Sequence, residues 1–320
     1  MFRSISSPDF QEKLNSLPDI ATYKELLFEL MRLDKSTLTL QEFSDRYYST
    51  IKILPEIVHQ VEPEAMNALH VYRVRCVKKD EVKTPNLSLA RSFSYPDPSL
   101  QVKNGRANVA GTTVFYCSDD WQTALREMKP EVGDICYLSR WRINCDRKTA
   151  YRAYLPYKSI PAENNWHVLA QKHYEKFMEF TRSNNIEKVE HMEFLYNAIC
   201  EIFTMEKPGY YFSSWLAYNI IFKHSGIDFL AFPSKQTQFL GSNFAFHPNF
   251  VDQFFKLDRV YSMTMKETGE NEMSHAFGKV GHMDSTNIQW RIMSELDRNI
   301  LKLDSGKTYE MSITIEPNTH

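Results

Sequence analysis

The chain has almost no net charge, no long apolar run and no paired-cysteine motif, and each absence removes a class of function. Thirty-eight Lys and Arg face 40 Asp and Glu, a formal charge of −2 at pH 7. Proteins that hold nucleic acid or an anionic membrane through their overall field carry a marked basic excess, so neither partner is expected, although one pocket can still be basic. No stretch approaches the roughly 18 consecutive apolar residues of a membrane-crossing helix. The opening MFRSISSPDF lacks the apolar core of a signal peptide. The five cysteines (Cys76, Cys117, Cys136, Cys145 and Cys200) are odd in number and form no C-x-x-C, which predicts reduced, inert, buried thiols in a cytoplasmic chain.

Several catalytic motifs are missing too. No G-x-S-x-G elbow occurs, His167 and His173 do not have H-E-x-x-H spacing, and no cysteine and carboxylate cluster suggests zinc, so no metal is expected. Ser305-Gly306-Lys307-Thr308 ends like a P-loop, but Leu301 stands where the first glycine belongs. The basic group Arg140, Arg142, Arg147, Lys148 and Arg152 could face nucleic acid. Alternation along a strand makes a solvated face the simpler reading.

What is present describes a folded α+β chain. Hydrophobic residues make up 42% and aromatics 13%, enough to build a core over 320 residues and one or two domains. Helical spacing of Tyr23, Leu26, Leu27, Leu30 and Met31, then a Thr39/Glu42 capping box opening a helix through Phe43, Tyr47 and Ile51, makes the first 65 residues helical, with Pro55 as a stop. Strands are expected at 71–77, 114–117, 135–143, 227–232 and 243–246, with weaker runs at 259–265 and 309–315. Residues 80–104, with Pro85, Pro96 and Pro98, read as a long loop. Two helices are expected over 164–205, broken near 183–185, and another from Ser213 to His224, stopped by Gly226.

The stretch from Gly105 to Glu127 holds the candidate chemistry. A glycine-flanked Arg106 leads into a β-branched and aromatic run, then into a helix capped by Ser118 or Asp119 whose apolar stripe is Trp121, Ala124, Leu125 and Met128. At about 100° per residue Glu127 lies beside that stripe, where a carboxylate reaches a cleft while the helix stays packed. Each residue has a plainer reading: Arg106 a solvated turn residue, Glu127 an exposed helix charge, Tyr116 core, Ser234 a turn residue, and Arg73 a partner of some carboxylate.

Five segments in order resemble one family. They are Tyr72-Arg73, Gly105-Arg106-Ala107-Asn108, Tyr116, Thr123-Ala124-Leu125-Arg126-Glu127 and Phe232-Pro233-Ser234, with Gly241-Ser242-Asn243-Phe244-Ala245 downstream. Together they look like the RES domain, named for an arginine, a glutamate and a serine, here Arg106, Glu127 and Ser234. The family often has tryptophan where this chain has Ala107. The resemblance implies an ADP-ribosyltransferase-like fold over residues 67–260, a helical extension at 1–66, an insertion near 164–205, and a strand-containing extension at 261–320. It implies a toxin that cleaves NAD between nicotinamide and ribose, with water or inorganic phosphate as acceptor and a neutralising antitoxin as partner. Transfer of ADP-ribose to protein, or a non-catalytic NAD-pocket module, are the alternatives. In this scheme Arg106, Glu127 and Ser234 are catalytic, and Tyr72, Arg73, Tyr116 and Asn108 contact NAD. The chemistry suits those types. A guanidinium forks onto phosphate, a carboxylate meets the positive charge that builds on ribose, and tyrosine packs against nicotinamide. Ser234 fits as a hydrogen-bond donor; no histidine and acid pair is placed to make it a nucleophile.

Overall fold

A computed structural model describes residues 8–33, 37–54, 58–78, 86–223, 226–268, 273–304 and 313–315. The expectations at Pro55, Pro85, His224, 305–308 and 309–312 lie outside the described residues. The chain opens with α1 (Pro8–Asn15), α2 (Ile20–Arg32), α3 (Leu40–Thr50), β1 (His59–Val61), α4 (Pro63–Ala68) and β2 (His70–Val77). Its middle holds β3 (Phe115–Ser118), α5 (Trp121–Glu127), β4 (Ile135–Ile143), β5 (Thr149–Ala153), α6 (His167–Asn184), α7 (Val189–Met205) and α8 (Tyr211–Tyr218). There follow β6 (Phe229–Pro233), β7 (Ser242–Phe246), α9 (Pro248–Phe254), β8 (Phe255–Thr268), β9 (Met273–Asp284), β10 (Asn287–Ile292), α10 (Glu295–Asp304) and β11 (Ile313–Ile315).

These elements form two compact units, one of residues 1–60, 98–112 and 150–233, the other of 61–97, 113–149 and 234–320. The first unit is mainly helical. Asp19 caps α2 through the backbone N–H groups of Ala21 and Thr22, and the Thr39/Glu42 capping box opens α3 as its sequence predicts. α3 buries an aromatic face: Tyr47 and Phe43 pack against Trp215 of α8 at ring separations of 4.7 and 5.3 Å. The long stretch expected to break near 183–185 does so at Asn185, where the backbone is extended between α6 and α7. β5 and β6 pair in parallel, with Tyr151 opposite Phe229. The helix expected from Ser213 is shorter than its pattern, since α8 gives way at Asn219 to a wider π turn.

The second unit is built on a sheet in the order β7-β3-β2-β4-β8-β9-β10, with neighbours antiparallel and β11 added in parallel to β9. One face carries a core of Tyr72, Val74, Leu138, Tyr261 and Met263, against which Trp121 and Leu125 of α5 pack. β8 runs unbroken through residue 260, so the boundary expected between 260 and 261 falls inside a strand.

Two expectations about single residues are corrected. Cys76 and Cys136 stand directly opposite on β2 and β4 and form a disulfide, so the chain does not keep five reduced thiols. Sequence spacing could not show this pairing, because strand register creates it. Cys117, Cys145 and Cys200 are buried and free, and burial pushes the Cys200 thiol up to about 12, so those three match the expectation of inert thiols. Nor do the five basic residues share a solvated face. Arg140 and Arg152 are withdrawn into the protein, the latter only 2% exposed, while Lys148 meets Glu62 and Arg147 lies over Phe250. Among the described residues no helix is long and apolar enough to cross a membrane.

Candidate functional site

The site in the sheet unit is set by the way α5 leaves β3. Asp120, one or two residues later than expected, caps the helix: its carboxylate accepts from the Thr123 backbone N–H at 2.9 Å and from the Thr123 hydroxyl. Asp119 instead ties the turn to the start of β7, accepting from the Ser242 N–H at 3.1 Å and donating its own N–H to the Ser242 carbonyl at 3.2 Å. Gly241 lets the strand come this close. A Cβ there would stand 1.9 Å from Thr123 Oγ1. The helix buries Trp121, Ala124, Leu125 and also Arg126, while Met128, expected in the stripe, is 42% exposed beyond the last turn.

Glu127 thus emerges at the margin of the packed face. It is half-buried, and its Oε1 accepts from the Ser234 hydroxyl at 2.5 Å and from Asn243 Nδ2 at 2.7 Å. Asn243 is itself oriented, because its Oδ1 accepts from Ser118 Oγ at 2.6 Å across the Ser118–Asn243 pair of β3 and β7. Ser234 is completely buried; its N–H donates to the Gly241 carbonyl and its carbonyl accepts from the Phe239 N–H. Its hydroxyl proton is therefore directed at Glu127. The expected donor to ligand is seen here as a residue that positions the acid. With two rigid donors on one oxygen, the carboxylate has a fixed plane, and such preorganisation is what electrostatic stabilisation of a developing cation needs.

The other expected residues divide. Tyr116 shares a face with Ser118 two residues on, is half-buried, and lies on the Glu127 side of the sheet. Tyr72 pairs with Ser118 on that face, but its ring is 1% exposed inside the core, and its hydroxyl accepts from Arg140 Nε at 3.3 Å. A ring packed there is not available to stack on a ligand, which corrects the contact expected of it. Arg73 points the opposite way. It donates to the carbonyls of Ser94 at 3.1 Å and Tyr116 at 2.9 Å and lies over Phe115, and burial lowers its pKa to about 10. It braces the strands with carbonyl partners, neither contacting the Glu127 face nor pairing with a carboxylate in these bonds.

Arg106 and Asn108 belong to the helical unit. Arg106 donates to the Phe203 carbonyl and lies over the Tyr210 ring at 5.0 Å. Asn108 is 1% exposed and spends its amide on the carbonyls of Val109 and Thr112, so it shapes the loop. That corrects the ligand contact expected of Asn108. In the same unit Asn104, Val109 and Ala110 line a hollow of about 210 Å³ together with Phe43 and Tyr211.

Sequence reasoning missed Asn243 and Ser118 as parts of the site. The available signal was a lone amide in the aromatic strand Asn243-Phe244-Ala245-Phe246, since a polar side chain in a buried strand needs a specific partner. Among the described residues no group of three or more His, Cys, Asp or Glu is gathered for a metal ion. No family model, curated protein or solved structure matches the chain.

Proposed function

We propose that this α+β chain is an NAD-consuming enzyme of the ADP-ribosyltransferase-like RES type. It breaks the nicotinamide–ribose bond with water or inorganic phosphate as acceptor. One observation carries the reading: Ser234 and Asn243, 107 and 116 residues from Glu127 in sequence, converge on a single oxygen of its carboxylate. Loss of nicotinamide leaves positive charge on the ribose, and an acid with a fixed orientation stabilises that charge without reorganising. Tyr116 supplies an aromatic surface on the same face for the nicotinamide. The toxin role and a neutralising protein partner follow from the same reading, since unchecked NAD loss harms a host cell.

The test is to incubate the purified protein with NAD, with and without phosphate, and follow free nicotinamide. Glu127→Gln is expected to lower the rate at least about 100-fold, the scale of one preorganised electrostatic group. Ser234→Ala and Asn243→Ala each cost less, because one donor remains. No release by folded wild-type protein in either buffer, or full activity in Glu127→Gln, refutes the proposal.

A further inference from the structure

Cross-strand pairs in a sheet are stable when opposite charges or apolar groups face each other, and like charges directly opposite destabilise it. β4 and β8 break this rule twice in succession. Arg140 stands opposite Arg259, and Arg142 opposite Lys256. Residues two apart on a strand share a face, so the four cations form one block on the side of the sheet that also carries Tyr72. The register shifts between Arg140 and Trp141, and that bulge adds Asp258 to the block. Its carboxylate accepts from Arg140 at 2.6 Å, from Arg142 at 3.2 Å and from Arg259 at 3.0 Å. Those guanidiniums hold its pKa down against the opposing effect of burial. Asp297, 1% exposed at its side chain, serves Arg259 and Arg291 in the same way. Two carboxylates therefore stand among five cationic side chains. Arg142 and Arg291 still reach solvent, at 60% and 46% side-chain exposure.

Places where a local rule is broken and compensated elsewhere in the structure are where functional sites are expected. We infer that this block is a binding site for the phosphate groups of a small ligand, with Arg142 and Lys256 as its outer contacts and Arg140 and Arg259 behind them. Arginine has five N–H donors in a planar fork, so Arg142, which meets Asp258 and is 60% exposed, can also offer donors to a phosphate oxygen. Asp258 and Asp297 hold the arginines and offset their mutual repulsion. The block is a few residues wide in a chain of net charge −2, which suits a phosphate or pyrophosphate group better than a nucleic-acid strand. The inference is independent of NAD cleavage, because its readout is binding and not turnover.

Calorimetric titration of the full chain at low ionic strength, with inorganic pyrophosphate in one arm and ADP in another, tests it. Saturable binding of both is expected, weakened by added salt. The double variant Arg142→Ala/Lys256→Ala is expected to bind each at least about 10-fold more weakly, the loss of one or two charged hydrogen bonds, with an unchanged melting temperature. A control pair on α6, Lys172→Ala/Arg182→Ala, removes the same charge and is expected to leave affinity unaltered. Absence of saturable binding overturns the site, as does equal loss in the control pair. Binding of ADP alone, with pyrophosphate silent, overturns the phosphate assignment, and capture of an oligonucleotide alone overturns the small-ligand one.

Discussion

His275 on β9 offers a quantitative handle on the sheet unit. The residue is fully buried, edge-on to Phe277 at 4.8 Å and beside Trp121 at 5.6 Å. Neither ring nitrogen has a hydrogen-bond partner among the described residues. An imidazolium there would lose its hydration with nothing in return, so burial lowers the pKa from 6.5 to about 4. The folded state thus refuses a proton that the unfolded chain takes up below pH 6.5. Stability contributed by the neutral ring is complete above that value and is lost as the pH falls toward 4. Over the 1.5 units between 6.5 and 5, at 1.36 kcal/mol per unit, the loss is about 2 kcal/mol, rising to about 3 kcal/mol below pH 4. Urea unfolding followed by tryptophan fluorescence at about pH 7.5 and about pH 5 measures it. His275→Gln cannot titrate, so its stability should fall by about 2 kcal/mol less than wild type over the same interval. His59 and His173, whose pKa values burial lowers to about 4 and about 3, add a slope of the same sign that both proteins share. Equal pH dependence in wild type and variant would show that His275 is solvated or partnered, and would refute the reasoning.

Two further outcomes follow from the packing. Gly241→Ala drives a methyl into Thr123, and the overlap is expected to cost about 3 kcal/mol in chemical unfolding. Pairing it with Thr123→Ala should recover part of the loss, and a cost within about 0.5 kcal/mol would mean that β7 does not approach α5 so closely. Reduction of the Cys76–Cys136 disulfide, whose cysteines are 60 residues apart, should lower stability by up to about 4 kcal/mol, with Cys76→Ser/Cys136→Ser insensitive to reductant.

Local chemistry made much of the fold legible. The Thr39/Glu42 box and the break at Asn185 rest on interactions within a few residues, and the strand over 135–143 on an alternation that is readable along the chain; the structure has each of them. The acid at the edge of the α5 stripe was legible for the same reason, since helical period alone puts Glu127 there. The cap of α5 was missed by one or two residues because Asp119 is drawn off by Ser242, a partner far along the chain. The same limit explains Tyr72 and Arg73. Alternation says that they face opposite ways, but not which side α5 covers.

The sequence by itself determined an α+β chain of near-neutral charge, its principal helices and strands, and the place of Glu127 at the edge of the α5 stripe. Those properties follow from composition and from periods of two and 3.6 residues. Tertiary structure alone decided that Ser234 and Asn243 meet on Glu127, that two cysteines join, that Tyr72 is core, and that arginines face each other across β4 and β8. Each of these depends on strand register and on contacts between distant segments, which no local pattern encodes.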